Sequence, residues 1–367
     1  MDLKFDTSKT YAIALEGGGA KGAYEAGVWK ALEEAGVKYN AVAGTSVGAL
    51  NGAMMASRDL KTALNLWENI RFSQVFDADD EQMKKIYDRD LDGLDVKGLL
   101  KDFVGFVKDG GLDIEPLRLM MMEYIDEERV RQSDVDFFFV TYSLTDKEEV
   151  EIDAHELEEG KLIDMLLASA YVPVFQRKKL DGKDYVDGSV QNIVPIDSLL
   201  KREYQDIIMI RIYGLGFEKK TKIPENINLI TIAPKEKLGG ILQFDQESTR
   251  RDMTLGYFDG MRMLYGLSGE KYYIDRQWNE MQAYLALKML MEKMAGRELP
   301  LREINERLLP RFARKLKIKE GDYYELLLRF LEQEAEAAKI TPFQIRTEEE
   351  LLLEIADYWK KKKIKYF

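Results

Sequence analysis

Residues 11–57 read YAIALEGGGAKGAYEAGVWKALEEAGVKYNAVAGTSVGALNGAMMAS, and this stretch decides the fold class. Twice a short apolar run, at residues 11–15 and 41–43, meets a glycine-rich turn that opens a stretch of helical spacing. Short apolar runs that end in turn residues are typical of buried strands. Strands that alternate with helices in this way indicate a mainly parallel sheet covered by helices. The sequence therefore predicts an α/β fold, a three-layer α/β/α sandwich.

The first glycine-rich turn, GGGAKG at residues 17–22, is compatible with more than one kind of site. It matches the dinucleotide fingerprint G-x-G-x-x-G, but that fingerprint also needs an acid at the end of the next strand, where this chain has GTS at residues 44–46. It is not a P-loop, because Lys21 is followed by Gly22 rather than by Ser or Thr. Glycine N–H groups at a helix N-terminus can instead hold a phosphate or the oxyanion of a tetrahedral intermediate. We expect a local role for Lys21, either on a substrate phosphate or as a brace of this loop.

The second turn, GTSVG at residues 44–48, has the form of a G-x-S-x-G nucleophile elbow. It also has the context that such an elbow needs, with a predicted strand before it and a predicted helix after it. The flanking glycines allow a tight turn that exposes the serine hydroxyl, and the next N–H can join an oxyanion hole. Ser46 is therefore the candidate nucleophile, and Val47 is a candidate oxyanion donor.

A third motif, DGS at residues 187–189, follows the strand-like pair at residues 185–186. An aspartate at a strand end lies where functional groups gather in α/β sheets. The alternative is a plain turn aspartate, because Asp-Gly is a frequent turn dipeptide, and the motif alone favours that alternative.

Together, these motifs resemble the patatin-like phospholipase family, which shows a GGG-x-[KR]-G turn, a GTS-x-G elbow and a downstream D-G-[AS] aspartate in this order. The segment ASAYVPVF at residues 168–175 is similar to the family's small-residue segment before the aspartate. The resemblance covers about residues 9–260 and leaves the last hundred residues without a motif. It implies a serine–aspartate dyad in which Ser46 attacks an ester carbonyl and Asp187 takes its proton. It also implies an oxyanion loop of three glycines: Gly17, Gly18 and Gly19.

The identity of the base separates such a dyad from a Ser-His-Asp triad. His155 is the only histidine, so a triad must use it, and it lies in the acidic stretch EIDAHE at residues 151–156. We expect a solvated histidine there, and a dyad does not need it. A carboxylate near its usual pKa of about 3.9 is a weak base at neutral pH, so Asp187 should be desolvated in a partly apolar site.

Composition and charge restrict the class of partner. The 367-residue chain has a formal net charge of -12, which argues against nucleic acid because phosphate binding needs basic surface. The absence of cysteine excludes disulfides, thiolate nucleophiles and cysteine metal sites. No apolar run reaches the length of a membrane span, and the N-terminus lacks the pattern of a secretory signal. We expect a cytoplasmic protein that needs no metal or organic cofactor.

Two charged segments each have a functional and a plain interpretation. The end of the chain, WKKKKIKYF at residues 359–367, could make peripheral membrane contact with anionic lipid, although a solvated terminus is favoured. DRDLDG at residues 88–93 copies the first half of a calcium loop. Leu99 stands where the bidentate glutamate belongs, so a solvated acidic loop is favoured there.

The pattern along the chain predicts two domains. Residues 1–265 should form the patatin-like α/β hydrolase domain that the resemblance implies, with a charged insertion at about residues 73–111. After about residue 238 the strand patterns stop, and residues 266–367 should form a helical C-terminal subdomain. Further elements are expected as strands at 137–141, 206–211 and 228–232 and as helices at 161–170, 278–294 and 323–338.

The motifs predict a hydrolase that cleaves a lipid or other carboxylic ester through an acyl-enzyme on Ser46, with Asp187 as general base. One alternative is a non-catalytic lipid- or acyl-binding module with a degenerate site, against which the intact motifs argue. The other is a dinucleotide-binding enzyme that uses the turn at residues 17–22.

Overall fold

The computed structural model describes residues 1–81, 83–84, 111–319 and 321–362. The chain divides into two compact units, Phe5–Met261 and a second unit that combines Met1–Lys4 with Arg262–Phe367. The prediction of separate domains at residues 1–265 and 266–367 stays a prediction.

Some of the predicted features lie outside the described residues. These are most of the charged insertion at residues 73–111, the acidic segment at residues 88–93 and the last five residues of the lysine-rich tail. No helix in the described ranges is long and apolar enough to cross a membrane.

A seven-stranded sheet forms the centre of the Phe5–Met261 unit. Its strands are β1 (Thr10–Leu15), β2 (Lys38–Thr45), β3 (Asp136–Ser143), β4 (Glu148–Asp153), β5 (Tyr185–Asp187), β6 (Asp206–Ile210) and β7 (Asn228–Ile232). Six of them follow the order β4-β3-β2-β1-β6-β7, while β5 pairs with β3. All pairs are parallel except those of β3 with β4 and with β5. The predicted mainly parallel sheet is confirmed.

Helices flank this sheet, which confirms the predicted three-layer sandwich. They are α1 (Gly22–Glu34), α2 (Val47–Ala56), α3 (Leu60–Asn69), α4 (Phe72–Val75), α5 (Glu115–Tyr124), α6 (Glu127–Arg131), α7 (Leu162–Ser169), α8 (Ile196–Leu200) and α9 (Gln246–Tyr265). On one face α8 packs Ile196 and Leu199 against the small side chains of β1 and β2. On the other face α2 lies against β2 and β3, where Gly52 approaches Val42 and Phe137.

The strands β1 and β2 are buried on both faces, which explains why their sequences are apolar throughout rather than alternating. Ala12, Ala14, Ala41 and Ala43 point to the α8 face, where small side chains let the helix pack closely. Because the two strands are parallel neighbours, their carboxyl ends lie at the same edge of the sheet. Both glycine-rich turns are therefore brought to that edge.

The strand β4 was not expected from the sequence. Its residues, EEVEID, alternate weakly because it is an antiparallel edge strand with mostly half-buried side chains. Charged residues are common on edge strands, where they oppose pairing with another chain. The acidic composition of residues 148–153 therefore explains why the sequence did not predict a strand there.

The unit that contains Arg262–Phe367 is mainly helical, as predicted for this region. Its helices are α10 (Glu280–Ala295), α11 (Leu301–Glu303), α12 (Leu309–Leu316), α13 (Tyr323–Ala337) and α14 (Glu348–Lys361), with a π-helical turn at Ile304–Leu308 between α11 and α12. Local sequence sets several ends: Asn279 and Thr347 cap α10 and α14 in capping boxes, and Gly296 ends α10 in the left-handed conformation. The expectation that strands stop after about residue 238 is wrong, because β8 (Tyr273–Ile274) and β9 (Ile345–Arg346) form a short parallel pair.

Candidate active site

Ser46 occupies the turn between β2 and α2. Its backbone has φ 56° and ψ -122°, a conformation that residues with a Cβ rarely adopt. The turn depends on close backbone approach at both flanking glycines. A Cβ on Gly44 would lie 2.2 Å from the Gly48 carbonyl oxygen, and a Cβ on Gly48 would lie 2.7 Å from the Leu15 carbonyl oxygen. Ser46 therefore has the strained geometry of a nucleophile elbow.

A buried serine that was not predicted from the sequence holds this elbow. The Ser46 N–H donates to Ser169 Oγ at 2.9 Å, and the Ser169 hydroxyl donates to the Val140 carbonyl at 2.6 Å. Ser169 belongs to the 168–175 segment that carries part of the family resemblance. Nothing in the sequence indicates that its hydroxyl faces the elbow, because the two serines are 123 residues apart.

The register of β3 brings Asp187 to Ser46. Val140 of β3 pairs with Thr45, and the next residue, Thr141, pairs with Asp187 at the end of β5. The end of β2 and the end of β5 therefore meet along one strand. The Ser46 hydroxyl donates to Asp187 Oδ2 at 2.5 Å.

Asp187 is buried, with 4% of its surface exposed, and Oδ1 accepts the Ser189 N–H at 2.8 Å. Burial raises the pKa of Asp187 above its usual value, because the charged form loses hydration, and the hydrogen bond from Ser46 partly opposes this shift. Among the described residues, no cationic side chain forms an ion pair with Asp187. The desolvated environment expected from the sequence is therefore present.

The GGGAKG turn lies beside the elbow. Gly18, Gly19 and Val47 line the cavity in front of Ser46, and within the described chain their N–H groups have no hydrogen-bond acceptor. The Gly17 N–H differs, because it donates to the Ile193 carbonyl at 2.9 Å. Gly17 therefore shapes the loop while its own N–H is already in use.

Only glycine fits the third position of this turn. Gly19 has φ 58°, and a Cβ there would lie 2.0 Å from the Ile241 carbonyl oxygen. The same carbonyl accepts the Ala20 N–H at 2.8 Å, so the segment at residue 241 packs directly on the turn.

Lys21 contacts the loop that follows β6. Its Nζ donates to the Tyr213 carbonyl at 2.6 Å, and burial lowers the pKa of Lys21. The Glu16 carboxylate accepts the N–H groups of Ile212 and Tyr213 at 2.6 and 2.9 Å in the same loop. Of the two local roles expected for Lys21, this contact corresponds to the brace.

His155 lies away from the elbow. Its Nδ1 is 4.0 Å from Asp136 Oδ1 at the beginning of β3. Val140, which pairs beside the elbow, is four residues further along, about 13 Å in an extended strand. His155 is not among the described residues that line the cavity at Ser46. Its side chain is only 29% exposed, so it is less solvated than the acidic sequence suggested.

A cavity of about 400 Å³ opens in front of Ser46 and Asp187. Asp187 is the only charged side chain among the described residues that line it. Most of the wall is apolar, for example Trp67, Phe76, Leu117, Met120, Phe175 and Phe244. These wall residues could not be predicted from the sequence, because ordinary core hydrophobics carry no motif and come from well-separated parts of the chain. The arrangement joins a serine hydroxyl, a buried carboxylate and free N–H donors at one end of an apolar space.

The chain belongs to the patatin-like phospholipase family. The family model described as patatin-like phospholipase matches residues 13–200, slightly more than half of the 367 residues. This match contains the glycine-rich turn, the elbow and the aspartate, so the resemblance stated from the sequence is confirmed.

Several curated proteins are similar over a short stretch. Patatin-like phospholipase domain-containing protein 6 of Homo sapiens is 54% identical over 50 residues, which cover 14% of this chain and 4% of that protein. Lysophospholipase nte1 of Aspergillus terreus is 50% identical over 48 residues, or 13% of this chain and 3% of that protein. Neuropathy target esterase sws of Drosophila melanogaster is 45% identical over 51 residues, or 14% and 4%. The chain thus matches only a small part of the length of these relatives.

Among solved structures, VipD from Legionella pneumophila aligns with a TM-score of 0.44 at 14% sequence identity. The alignment covers 97% of this chain and 90% of VipD.

Proposed function

We propose that this protein is a lipid acyl hydrolase that cleaves a carboxylic ester through an acyl-enzyme on Ser46. The observation that carries the proposal is the 2.5 Å hydrogen bond from the Ser46 hydroxyl to the buried Asp187 carboxylate. A nucleophile and its base must lie within hydrogen-bond reach of each other, and this pair does. Family membership supports the same conclusion.

Asp187 acts as the general base. When Ser46 Oγ attacks the ester carbonyl, its proton passes to Asp187 Oδ2, and the same proton then goes to the leaving alcohol. Burial raises the pKa of Asp187, which makes its carboxylate a stronger base than a solvated aspartate. A water molecule then gives a proton to Asp187 as it attacks the acyl-enzyme. Asp187 passes that proton to the departing Ser46 Oγ, which releases the free acid and restores both residues.

The N–H groups of Gly18, Gly19 and Val47 stabilise the oxyanion. They border the cavity beside Ser46 and are not used by the fold, so they are available when negative charge develops on the carbonyl oxygen. Gly17 contributes through the shape of the loop, since its N–H is bonded to Ile193.

The substrate is an ester with a hydrocarbon acyl chain. The cavity wall is apolar apart from the reacting groups, so it favours a hydrocarbon chain over a polar one. Its volume of about 400 Å³ lies within the range of roughly 300–1,000 Å³ that is typical of small-molecule sites. The names of the similar proteins, among them a lysophospholipase and an esterase, are compatible with this substrate class.

An alkyl fluorophosphonate tests this proposal, because it phosphonylates an activated serine. We expect stoichiometric labelling that mass spectrometry locates at Ser46 and that disappears in Ser46→Ala. Ser198→Ala is a matched control, since Ser198 is buried but bonds to Glu151 and does not line the cavity. A panel of phospholipids, lysophospholipids and neutral glycerides then identifies the ester. A folded protein that is neither labelled nor active on the whole panel would refute the hydrolase and favour an acyl-binding module.

A further inference from the structure

A second cavity lies entirely within the unit that contains Arg262–Phe367. It is a groove of about 700 Å³ between the second half of α10 and the helical run from α11 through α12, and α13 also contributes to it. Its walls are largely apolar, and the side chains that form them include Leu290, Met291, Leu308, Phe312 and Phe330. Its volume is within the range of small-molecule sites, roughly 300–1,000 Å³.

A row of cations borders this groove. Arg307, Arg311 and Lys315 follow one another at four-residue spacing, and all three line the groove. Neighbours at this spacing lie on one side of a helix, with Cβ atoms about 5–6 Å apart. Glu303 is the only acid among the described lining residues, and it pairs with Arg297 at 3.2 Å and with Arg307 at 3.5 Å.

The other two cations of the row remain uncompensated. In the described part of the chain, neither Arg311 nor Lys315 has a carboxylate within 4.0 Å. Like charges at this spacing destabilise a helix. The surrounding segment is basic although the whole chain is acidic. Residues 297–319 contain eight Lys and Arg and three Glu, whereas the net charge of the whole chain is -12. An anion bound beside the row would reduce this repulsion.

We propose that this groove binds a long-chain fatty acid anion, with its hydrocarbon chain on the apolar walls and its carboxylate between Arg311 and Lys315. The concave apolar wall favours a hydrocarbon chain, and guanidinium and ammonium groups form strong charge-assisted hydrogen bonds with a carboxylate. The choice of a fatty acid among anionic amphiphiles rests on the proposed function, because hydrolysis of a lipid ester releases this anion. The groove therefore takes up the product of the proposed reaction at a site separate from Ser46.

Methionine methyl groups provide a test that separates this groove from the active-site cavity. Met291 and Met294 line the groove, whereas Met120 lines the cavity at Ser46. The full chain carrying Ser46→Ala is labelled with ¹³C-methyl methionine, and the three signals are assigned through Met→Leu variants. Dodecanoate, titrated below its micelle concentration, should shift the Met291 and Met294 signals saturably. The neutral alcohol dodecanol should bind there at least about tenfold more weakly, because it lacks the charge.

Paired variants test the cationic row. Arg311→Ala with Lys315→Ala should weaken dodecanoate binding at Met291 by about tenfold or more, since two charge-assisted contacts are lost. Arg314→Ala with Lys319→Ala is the matched control: it removes the same charge from exposed positions that do not line the groove, and binding should stay within about twofold.

Three outcomes would overturn the proposal: signals that shift only at Met120, equal binding of dodecanol, or equal weakening by both pairs of variants. Dodecyl phosphate that binds about tenfold tighter than dodecanoate would overturn the assignment of a carboxylate. Because Ser46→Ala is used throughout, the binding result is independent of hydrolysis. An inactive wild-type protein with intact dodecanoate binding would refute the hydrolase alone.

Discussion

Ser169 is predicted to hold the nucleophile in place, and Ser169→Ala tests this. The substitution removes the acceptor of the Ser46 N–H and the donor to the Val140 carbonyl, both in a fully buried environment. Each buried group left unpaired costs about 1–3 kcal/mol, so for these two groups we expect the free energy of unfolding to fall by about 2–6 kcal/mol. The elbow then loses the contact that fixes its strained backbone, and a displacement of about 1 Å at the nucleophile reduces turnover by about 10²-fold.

The assay combines urea unfolding with kcat on a soluble acyl ester. Ser198→Ala is the matched control, because Ser198 is equally buried and its hydroxyl donates to Glu151 at 2.7 Å, away from the cavity. It should lose stability too, yet keep kcat within about twofold. If Ser169→Ala lost stability to the same extent and kept kcat as well, the reasoning about the elbow would be refuted.

Three further predictions concern the elbow, the cavity and a buried acid. Ser46→Gly should be more stable than Ser46→Ala by about 1 kcal/mol in urea unfolding while both are inactive, because glycine tolerates φ 56°; equal stabilities would mean that the elbow is unstrained. Met120→Trp narrows the apolar cavity, so it should lower kcat/KM for esters with long acyl chains more than for esters with short ones. An equal loss at every acyl length would mean that the acyl chain binds outside this cavity. Burial raises the pKa of Asp252 to about 6. Between about pH 4 and pH 6, Asp252 is therefore protonated in the folded protein but ionised in the unfolded chain. Stability contributed by this protonated group therefore falls by about 3 kcal/mol as pH rises through that window, and Asp252→Asn should flatten this part of the pH–stability curve; an unchanged curve would contradict the shift.

The fold was predictable where the information is local. The apolar runs of β1 and β2 and the glycine-rich turns after them lie within residues 11–57, and strand, turn and helix each follow from neighbouring residues. β4 was missed for the opposite reason, since its charged residues are explained only by its place at the sheet edge beside β3. The two-residue strands β8 and β9 are too short to produce any pattern, and their pairing joins residues more than seventy positions apart.

In the candidate site, too, local motifs were predictable from the sequence and contacts between distant residues were not. Ser46 and Asp187 were predicted as the candidate pair because each lies in a motif, and the register of β3 then accounts for their contact. Ser169 was missed because its role depends on a contact across 123 residues. The hydrogen bond from the Gly17 N–H to the Ile193 carbonyl could not be predicted either, since only folding brings residue 193 to the turn. The cavity wall could not be predicted, because its side chains are ordinary hydrophobics until the fold arranges them around the serine.

The central claim is that Asp187, and not a histidine, is the base for Ser46. The most direct test is kcat/KM of Asp187→Asn and His155→Ala, measured in parallel on one soluble ester with folding checked by urea unfolding. The amide of Asp187→Asn cannot accept the proton, so kcat/KM should fall by about 10²–10⁴-fold. His155→Ala should stay within about twofold of wild type, because His155 lies beside Asp136 and does not line the cavity at Ser46. A collapse of activity in folded His155→Ala, or near-normal activity in Asp187→Asn, would contradict the account.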